Sequence, residues 1–315
     1  MADNRWGRAA QRCEVACPVR FGLVGTGPWA GIAHGPGLLA AEGVELVGVW
    51  GRSSERSRLL ATTLGVSAYD DLEALLSEVE AVAFAVPPRI QADLAVVAAN
   101  AGKHLLLDKP MAMTAAAAIA VSDAATAAGV ASVVFFTDRF RPASRSWFRE
   151  VLATEGWRGG WLRSFSSLQE PDNPFGSSAW RWERGALWDT GPHALSTLTA
   201  ALGPARSITA VGGAGDLVTL VIRHESGATS TVSLTLFAPP AAAGFEAAVW
   251  GDAGVSPMPL HPDRSVSDLL AIAAQELVAS TLHGETHEVD VAFGARITEL
   301  LADAQAQIRS TRPPE

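Results

Sequence analysis

The chain has 315 residues, of which 48% are hydrophobic, so it is long and apolar enough to bury a large core. Single cores rarely grow beyond roughly 250 to 300 residues, and we therefore expect two domains. The formal net charge of −9 argues against a nucleic-acid or acidic-membrane partner, because both need a basic surface, and it favours a small-molecule ligand. No apolar run approaches the roughly 20 residues of a membrane-spanning helix.

Residues 1–18 are polar and contain several arginines, and we predict a flexible N-terminal arm there. The arm contains the only cysteines, Cys13 and Cys17, so no disulfide framework is expected. Because no further cysteine or histidine follows at ligand spacing, the pair does not predict a metal site. The rest of the chain has no thiol, which is compatible with a reducing compartment and predicts a cytoplasmic protein.

Short apolar runs alternate with Ala-, Leu- and Glu-rich stretches through the first half of the chain. The runs cover residues 19–24, 44–50, 81–86, 103–107 and 132–136, and the stretches cover 53–64, 70–77, 91–101 and 114–128. Such runs are typical of strands that are buried on both faces, and their alternation with helices predicts an α/β fold with a doubly wound parallel sheet. The helix after the first strand should break after about two turns at Gly35-Pro36-Gly37, because proline cannot continue a helix.

The pattern changes after residue 137. In residues 228–237, Val232, Leu234 and Leu236 alternate with polar residues, which predicts an antiparallel strand with one buried face. The run 217–224 precedes this strand across a short polar turn, so the two should form a hairpin. Helical patterns follow over 266–283 and 291–308. We therefore predict a first domain over residues 19–137 and an α+β domain over residues 138–315.

The first strand runs into Gly25-Thr26-Gly27-Pro28-Trp29-Ala30, which has the form Gly-x-Gly-x-x-Ala. In a dinucleotide-binding turn of this form, the first glycine permits the tight turn and the second lets the backbone approach the pyrophosphate at the helix N-terminus. A small third residue allows the helix to pack closely on the strand. Glycines also mark ordinary turns, but this trio follows the first strand of a repeating β/α unit and predicts a dinucleotide site.

The end of the second strand bears on which dinucleotide is bound. An acidic residue there would bind the ribose 2′-hydroxyl of NAD, whereas arginine accommodates the 2′-phosphate of NADP. Here Trp50-Gly51 leads into Arg52 and Ser53 without an acidic residue. We therefore predict that NADP is bound in preference to NAD, with Arg52 and Ser53 on the phosphate and Arg56 assisting. The alternative is that Arg52 only solvates a loop.

Lysine is rare in this chain: the 24 basic residues include only Lys103 and Lys109. An ammonium, unlike a guanidinium, is a compact group that can donate or share its proton. Lys109 lies in Asp108-Lys109-Pro110, directly after a predicted strand, and is therefore a candidate catalytic group. The alternative is an ordinary surface lysine, which is how we interpret Lys103.

A second candidate site lies in the segment from Trp188 to His193. Pro192 suits the first position of a helix, and Gly203-Pro204 suits its end. His193 should then lie in the first turn, where the positive end of the helix dipole keeps the imidazole neutral and able to accept a proton. Asp189 should hydrogen-bond the ring and set its tautomer. The alternative is that Asp189 caps the helix and that His193 is packed in the core.

Aromatic and basic residues near these motifs are candidate substrate-binding groups. Trp180 and Arg181 precede Asp189, and indole faces stack on sugar rings, although aromatic clusters belong more often to a core. Arg139 and Arg141 follow the last strand of the first domain. They either reach a polar substrate or only pair with surface acids.

In chain order, these motifs resemble the glucose-fructose oxidoreductase, inositol dehydrogenase and MocA family over about residues 19–310. The most specific are Asp108-Lys109-Pro110, in place of Glu-Lys-Pro, and the later Asp189-x-Gly191-x-His193. The resemblance implies a Rossmann domain and a second domain with an open, largely antiparallel sheet that often forms the interface of a homodimer or homotetramer. This chain departs from the family at residues 85–91, which lack the usual Thr or Ser and His, and at Ser196, which replaces an acidic residue.

The resemblance further implies an NAD(P)-dependent oxidoreductase that acts on CH–OH groups of a sugar, polyol or related hydroxy or keto compound. Lys109 would contact the nicotinamide and the reacting oxygen, His193 would be the general acid/base, and Asp189 would lie beside them. The cofactor-binding residues are then Gly25, Thr26, Gly27, Pro28, Trp29, Arg52, Ser53, Arg56, Pro87, Gln91, Asp108 and Lys109. Two alternatives stay open: a dinucleotide-sensing regulatory protein of the same fold, and a reductase of double bonds.

Overall fold

The protein is described by a computed structural model over residues 17–170, 173, 176, 178–260 and 264–311. Its first sheet contains β1 (Val19–Val24), β2 (Val44–Trp50), β3 (Ser67–Tyr69), β4 (Ala81–Phe84), β5 (His104–Asp108) and β6 (Ser132–Phe135). The strands are parallel and lie in the order β3-β2-β1-β4-β5-β6. This confirms the predicted doubly wound sheet, whose order reverses between β1 and β4 and leaves a crevice at the carboxyl ends of these strands.

Five helices connect these strands: α1 (Gly35–Ala40), α2 (Ser54–Leu64), α3 (Leu72–Glu78), α4 (Pro88–Asn100) and α5 (Ala115–Ala128). The apolar runs form the strands because they are buried on both faces, as β4 and β6 show with every residue buried. The three-residue strand β3 was not predicted, since Ser67–Tyr69 is short and mostly exposed. Cys13 lies outside the described residues, whereas Cys17 is exposed.

The predicted helix break at Gly35-Pro36-Gly37 is wrong. The chain stays helical from Ala30 to Ala40, first as a π turn over Ala30–His34 and then as α1. The N–H of Gly35 donates to the carbonyl of Ala30, five residues earlier. Pro36 therefore falls in the first turn of a new α segment, where a missing N–H leaves no hydrogen bond unmade.

The second sheet follows two short connecting helices, α6 (Thr137–Phe140) and α7 (Pro142–Leu152). The next elements are β7 (Trp157–Phe165), α8 (Ala179–Asp189), α9 (Gly191–Leu202), β8 (Ala205–Gly212), β9 (Val218–His224), β10 (Thr229–Thr235), a 3₁₀ turn over Pro240–Ala242, β11 (Gly244–Gly251) and β12 (Gly254–Pro257). The sheet order is β12-β11-β7-β10-β9-β8, and all pairs are antiparallel except β7 with β10. This agrees with the expected largely antiparallel sheet.

The predicted hairpin is confirmed, because β9 and β10 pair antiparallel across a turn that contains Gly227. Val232 and Leu234 are fully buried while their neighbours Thr231 and Ser233 are more exposed, so the alternation identifies the buried face correctly. On the opposite face, the register brings Trp161, Trp250 and Val221 to one side of the sheet, and all three are exposed.

The last two helices, α10 (Val266–His283) and α11 (Val291–Thr311), return to the first sheet. Helix α10 packs on α1 and β6, and α11 lies between α5 and β8. The N–H of Val134 in β6 donates to the carbonyl of Val289 just before α11. Helices α10 and α11 therefore belong to the layer that covers the first sheet. One continuous core joins the two halves of the chain.

Candidate active site

The glycine turn has the geometry expected of a dinucleotide cradle. Gly25 has φ +128°, and a Cβ there would lie 2.3 Å from the carbonyl oxygen of Ala85, so only glycine fits. A Cβ on Gly27 would meet no atom within 4 Å, because this part of the turn opens into a cavity. The two glycines thus serve different purposes: Gly25 packs against Ala85, directly after β4, and Gly27 leaves space for a ligand to approach the backbone.

The residues predicted to select the cofactor lie at the carboxyl end of β2. Gly51 packs against Thr26 of the glycine turn, since a Cβ on Gly51 would lie 2.8 Å from the Thr26 side chain. Ser53 is the N-cap of α2, and its hydroxyl accepts from the N–H of Arg56 at 3.3 Å. Arg52 and Arg56 are exposed. The structure therefore brings this segment beside the glycine turn.

Gln91 fixes the loop that contains Lys109. The side chain is 1% exposed, and its Oε1 accepts from the N–H of Asp108 at 2.9 Å. Its Nε2 donates to the carbonyls of Asp108 at 2.7 Å and Met111 at 3.1 Å. The peptide bond from Lys109 to Pro110 is cis. Gln91 also lines the cavity beside the glycine turn, but both ends of its amide are bound to the protein backbone.

Asp189 joins two cations from different parts of the chain. The Nζ of Lys109 donates to the Asp189 carbonyl at 2.6 Å and to Oδ1 at 3.1 Å, while the Nε of Arg181 donates to Oδ2 at 2.9 Å. The side chains of Lys109 and Asp189 are only 12% and 13% exposed. Burial alone would raise the pKa of Asp189, but the charges of Lys109 and Arg181 outweigh it and hold that pKa below its ordinary value. The carboxylate is therefore kept ionised.

Asp189 is oriented by a kink in α8. Gly185 has φ +67° and ψ −167°, which separates the segment from Ala186 to Asp189 from the first part of the helix. Oδ2 of Asp216 accepts from the N–H of Ala186 at 3.0 Å and from the N–H of Leu236 at 2.9 Å. The carboxylate thus caps the second half of α8 from a distant loop.

His193 lies in the first turn of α9, as predicted, and is half-buried, with its Nδ1 inaccessible to solvent. The predicted hydrogen bond from Asp189 to the ring is wrong, because Nδ1 of His193 has no hydrogen-bond partner among the described residues. The Asp189 carboxylate accepts from Lys109 and Arg181 instead. Burial lowers the pKa of His193 well below its ordinary value, and Lys109 lowers it further. The direction agrees with a neutral imidazole, but burial rather than the helix dipole is the main cause.

Two cavities lie near Lys109: it lines the first, and its Nζ donates to the carbonyl of Asp189, the residue before Thr190 of the second. The cofactor-side cavity, of about 290 Å³, is lined by Gly27, Trp29, Asp108, Lys109, Trp180 and Arg181, among others. The His193 cavity, of about 220 Å³, is lined by Thr137, Asp138, Ser164, Thr190, His193 and Phe245, among others. The charge of Lys109 acts on a group in each cavity: it opposes the rise in the pKa of Asp108 and adds to the fall in the pKa of His193.

Asp108 differs from Asp189 because it keeps its proton to higher pH, and burial also raises the pKa of Asp138. Burial raises the pKa of Asp108 to about 6, against the opposing charges of Lys109 and Arg181. Oδ1 accepts from the N–H of Lys109 at 2.7 Å, and the side chain also accepts from Trp29 of the glycine turn. Asp108 therefore links the end of β5 to the glycine turn.

Not every predicted site residue reaches the cavities. Trp180 and Arg181 line the cofactor-side cavity, with the guanidinium 4.7 Å from the centre of the indole. Arg139, in contrast, lines neither cavity: it is 7% exposed, pairs with Glu288 at 2.9 Å and lies over the Phe148 and Phe293 rings. Of the two interpretations of Arg139, the structure therefore shows the pairing with a surface acid and no position on either cavity.

Sequence reasoning missed two carboxylates. Asp138 lines the His193 cavity and pairs with Arg141 at 3.6 Å. A signal was available, because Asp138 follows β6 closely and the carboxyl ends of parallel strands face the ligand. Asp216 had no such signal: it lies 30 residues from Ala186, and only the tertiary structure brings the two together.

Comparisons with known proteins agree with this fold. Residues 19–136 match the family described as an oxidoreductase family with an NAD-binding Rossmann fold, and residues 158–255 match the GFO/IDH/MocA C-terminal domain. An uncharacterized oxidoreductase of Rhizobium meliloti is 39% identical over 98 residues, which are 30% of this chain and 29% of that protein. The chain thus aligns with less than a third of the length of that relative.

Two further proteins resemble most of the chain. D-xylose 1-dehydrogenase (NADP(+)) 2 of Haloferax volcanii is 29% identical over 232 residues, which are 70% of each protein. The solved structure of levoglucosan dehydrogenase in complex with NADH and levoglucosan has a TM-score of 0.82 at 18% identity and covers 93% of this chain and 98% of that chain. At that identity, the structural likeness concerns the fold alone.

None of the described helices is long and apolar enough to cross a membrane.

The two family matches follow the two sheets in chain order, and together they cover more than half of the chain. The chain therefore belongs to the GFO/IDH/MocA family of NAD(P)-dependent oxidoreductases.

Proposed function

We propose that this protein is an NAD(P)-dependent dehydrogenase or reductase that transfers hydride between nicotinamide and a CH–OH or keto group of a sugar, polyol or related compound. The observation that supports this most directly is the position of Lys109, which lines the cofactor-side cavity and donates to the carbonyl of Asp189, the residue before Thr190 of the His193 cavity. A reacting oxygen beside this ammonium would lie near a cation, and the neutral imidazole of His193, whose pKa Lys109 lowers, would take its proton.

The residues present fit a dinucleotide. The open space at Gly27 leaves the turn accessible, and the cofactor-side cavity runs from this glycine past Trp29 and Pro87 to Asp108 and Lys109. Backbone N–H groups at the start of a helix bind pyrophosphate oxygens. When bound, the nicotinamide supplies the hydride acceptor or donor. We assign Gly25, Thr26, Pro28 and Trp29 to the cradle and Gln91 to positioning the Lys109 loop.

The chain's own residues then handle the oxygen and its proton. During oxidation, Nε2 of His193 accepts the proton of the substrate hydroxyl, because burial keeps the imidazole unprotonated. The ammonium of Lys109 donates a hydrogen bond to the developing alkoxide, which lowers the energy of the transition state. Asp189 holds this ammonium through two contacts and keeps Arg181 beside it. The indole of Trp180, which lines the cofactor-side cavity, contacts the substrate or the nicotinamide ring.

NADP is our proposed cofactor. Arg52 and Ser53 follow β2 without an acidic residue, and Arg56 is exposed one turn further on. The relatives differ in their cofactor, since one is named as NADP-dependent and the structure of another was solved with NADH. Fluorescence titration should give a lower Kd for NADP, and Arg52→Ala should weaken NADP about tenfold or more, as expected for one charge-assisted contact. The exposed Arg206→Ala is the matched control, and tighter NAD binding by the wild type would contradict the proposal.

The reaction is tested by incubating the protein with NADPH or NADP and a panel of sugars, polyols, ketones and enones while the absorbance of reduced nicotinamide is followed. We expect turnover with a hydroxy or keto compound. Turnover of enones alone would indicate a reductase of double bonds. Tight cofactor binding without turnover of any compound would instead favour a dinucleotide-sensing protein.

The second sheet suggests a homodimer or homotetramer. Trp161, Trp250 and Val221 share one exposed face of this sheet, and exposed apolar patches of this kind mark interaction surfaces. Light scattering should report a mass above that of one chain, and Trp250→Glu should lower this mass.

We further propose residues 19–137 as the cofactor domain and residues 138–315 as the substrate and oligomer domain. We also propose a cytoplasmic location.

A further inference from the structure

We propose that a third cavity, which lies between α8 and α11, binds a small anion that carries a planar aromatic ring, and that the bound anion stabilises the position of Asp189. This α8–α11 cavity is lined by residues 182–187 of α8, residues 212 and 215–218 around the turn from β8 to β9, Phe237, and residues 305, 308 and 309 of α11. No described residue lines both this cavity and an active-site cavity. The site is therefore separate from the one proposed for the reaction.

The size of the α8–α11 cavity suits a small organic ligand. Its volume of about 620 Å³ exceeds those of the cofactor-side cavity and the His193 cavity. Sites for small molecules and cofactors range from roughly 300 to 1,000 Å³. The space therefore accommodates one or two aromatic rings with a charged substituent, or a mononucleotide.

Two aromatic side chains form one wall of this cavity. The ring centres of Trp182 and Phe237 lie 4.9 Å apart, with an angle of 38° between the ring planes. The indole is held in place, because its Nε1 donates to the carbonyl of Gly176 at 2.7 Å. Trp182 nevertheless remains 47% exposed. An indole that is fixed and still accessible offers its face to another planar ring, since aromatic rings stack favourably in offset arrangements.

The charged groups of the cavity favour an anion. Arg184 and Arg309 line it, and over the described part of the chain neither guanidinium makes an ion pair with another residue. Two carboxylates also line it, those of Glu183 and Asp216. Glu183 is exposed, whereas the Asp216 carboxylate already accepts from two backbone N–H groups and from the hydroxyl of Thr235. A carboxylate or phosphate on the ligand would give the guanidiniums the charge-assisted, bidentate contacts that arginine makes best.

The cavity also borders the kink that orients the end of α8. Gly185, whose φ of +67° produces the kink, lines the cavity. Asp216 lines it as well and caps the second half of the helix through the N–H of Ala186 at 3.0 Å. A ligand in this space would therefore contact both the kink and its cap.

A third contact leads from the cavity to the residue beside Asp189. Gln305 of α11 lines the cavity, and its Oε1 accepts from the indole N–H of Trp188 at 3.1 Å. Trp188 is buried and directly precedes Asp189, which holds the Lys109 ammonium. Local opening of this segment would break the contacts that a bound ligand touches. Because a ligand stabilises the conformation to which it binds, its binding opposes that opening.

Binding is tested by calorimetric titration of the NADP-saturated protein, in which the cofactor-side cavity is already filled. The probes are naphthalene-2-carboxylate and uridine 5′-monophosphate, and their uncharged partners are naphthalene-2-carboxamide and uridine. We expect at least one anion to bind with a Kd below about 1 mM and its uncharged partner to bind about tenfold or more weakly. Which of the two anions binds distinguishes an aryl carboxylate from a nucleotide. The proposal is overturned if neither anion binds or if the uncharged partner binds equally well.

Variants locate the bound probe. Arg184→Ala should weaken binding of the anion about tenfold, because a charge-assisted hydrogen bond is lost, and Trp182→Leu should weaken it about two- to tenfold. The exposed Arg206→Ala, which lies outside the cavity, is the matched control, and NADP binding shows that each variant is folded. An unchanged affinity in both folded variants would refute the site. Loss of binding in His193→Ala but not in Arg184→Ala would place the probe in the active site and would also refute it.

Hydrogen exchange measures the effect on Asp189 without requiring turnover, so its result does not depend on the proposed reaction. With the probe at ten times its Kd, exchange of the amides in residues 186–190 should slow by up to about tenfold, the protection expected when opening requires ligand release. The amides of α5, on the first domain, should exchange as before. Unchanged exchange over residues 186–190 with the probe bound would show that the site does not act on Asp189, and would overturn that part of the proposal.

Discussion

The cofactor-side cavity and the His193 cavity are built in different ways. The cofactor-side cavity is formed mainly by segments that each follow a strand of the parallel sheet: the glycine turn after β1, residues 85–88 after β4 and the Asp108 loop after β5. The His193 cavity is assembled from α6, β7, α9 and β11, which are far apart in the chain. The topology of the parallel sheet therefore shapes the cofactor-side cavity. The His193 cavity depends instead on how α6, β7, α9 and β11 pack against one another.

The chemistry of the two cavities also differs. The cofactor-side cavity has two indoles, a carboxyl group whose pKa is raised to about 6 and a guanidinium. The His193 cavity has hydroxyls, a neutral imidazole and a carboxylate beside Arg141. Changes on one side should therefore alter cofactor binding, and changes on the other should alter substrate turnover. The following predictions test this division.

The largest effect is expected on the substrate side. His193→Ala should lower kcat by about a hundredfold to ten-thousandfold, which is the usual contribution of a positioned acid/base group. The Kd for NADP should stay within about twofold, because His193 does not line the cofactor-side cavity. Steady-state kinetics and fluorescence titration measure the two quantities. A parallel loss of cofactor affinity would show that the two cavities are not separable.

A smaller effect should follow from Lys109→Arg, which keeps the charge but changes the geometry. The ammonium makes contacts of 2.6 and 3.1 Å to Asp189, and a planar guanidinium cannot reproduce them in the same space. We expect kcat to fall up to about a hundredfold, since displacements of about 1 Å cost that much in catalysis. Lys103→Arg is the matched control. Wild-type turnover in Lys109→Arg would mean that charge alone suffices.

The raised pKa of Asp108 predicts a pH-dependent stability. In the unfolded chain this carboxyl loses its proton near pH 4, as model aspartates do at about 3.9, but the folded protein keeps it to about pH 6. The folded state then binds more protons between these values, so the stability from Asp108 is full below about pH 4 and is lost as the pH rises to about 6.

Asp108→Asn cannot titrate and removes this dependence. Between pH 4 and 6, the unfolding free energy of the wild type minus that of the variant should fall by about 2 kcal/mol. Urea unfolding of both proteins at several pH values gives this difference. A constant difference would mean that Asp108 titrates as an ordinary aspartate in the folded protein.

The smallest effect is expected at Asp216, which touches neither Lys109 nor His193. Asp216→Asn replaces an acceptor of the Ala186 and Leu236 N–H groups by an amide, and should let the end of α8 shift with Asp189. We expect kcat to fall about tenfold, the effect of roughly 1.4 kcal/mol in transition-state energy, with NADP affinity unchanged. The exposed Asp303→Asn serves as the control. Loss of thermal stability with an unchanged kcat would assign Asp216 to folding alone.

Much of the first domain could be predicted because its signals are local. The strands β1 and β2 have the predicted bounds, since continuous apolar runs fill the centre of a parallel sheet. Gly25 and Gly27 were predicted from the need for a tight turn and an open backbone. Local rules failed at Gly35-Pro36-Gly37, where a π turn absorbs the proline, and at β3, which is too short and too exposed to have a pattern.

The sequence by itself determined the parallel sheet, the β9–β10 hairpin, the order of the strand-end motifs and the candidacy of Lys109, Asp189 and His193, because these depend on periodicity, composition and spacing along the chain. The rest of the second sheet was expected only from the resemblance to the family. Only the tertiary structure decided which partner each group meets. It directs Asp189 to Lys109 and Arg181 rather than to His193, draws Arg139 to Glu288 and brings Asp138 into the His193 cavity. The reason is physical: buried charges take the partners that packing brings within hydrogen-bond distance, and that packing joins residues from 8 to 149 positions apart.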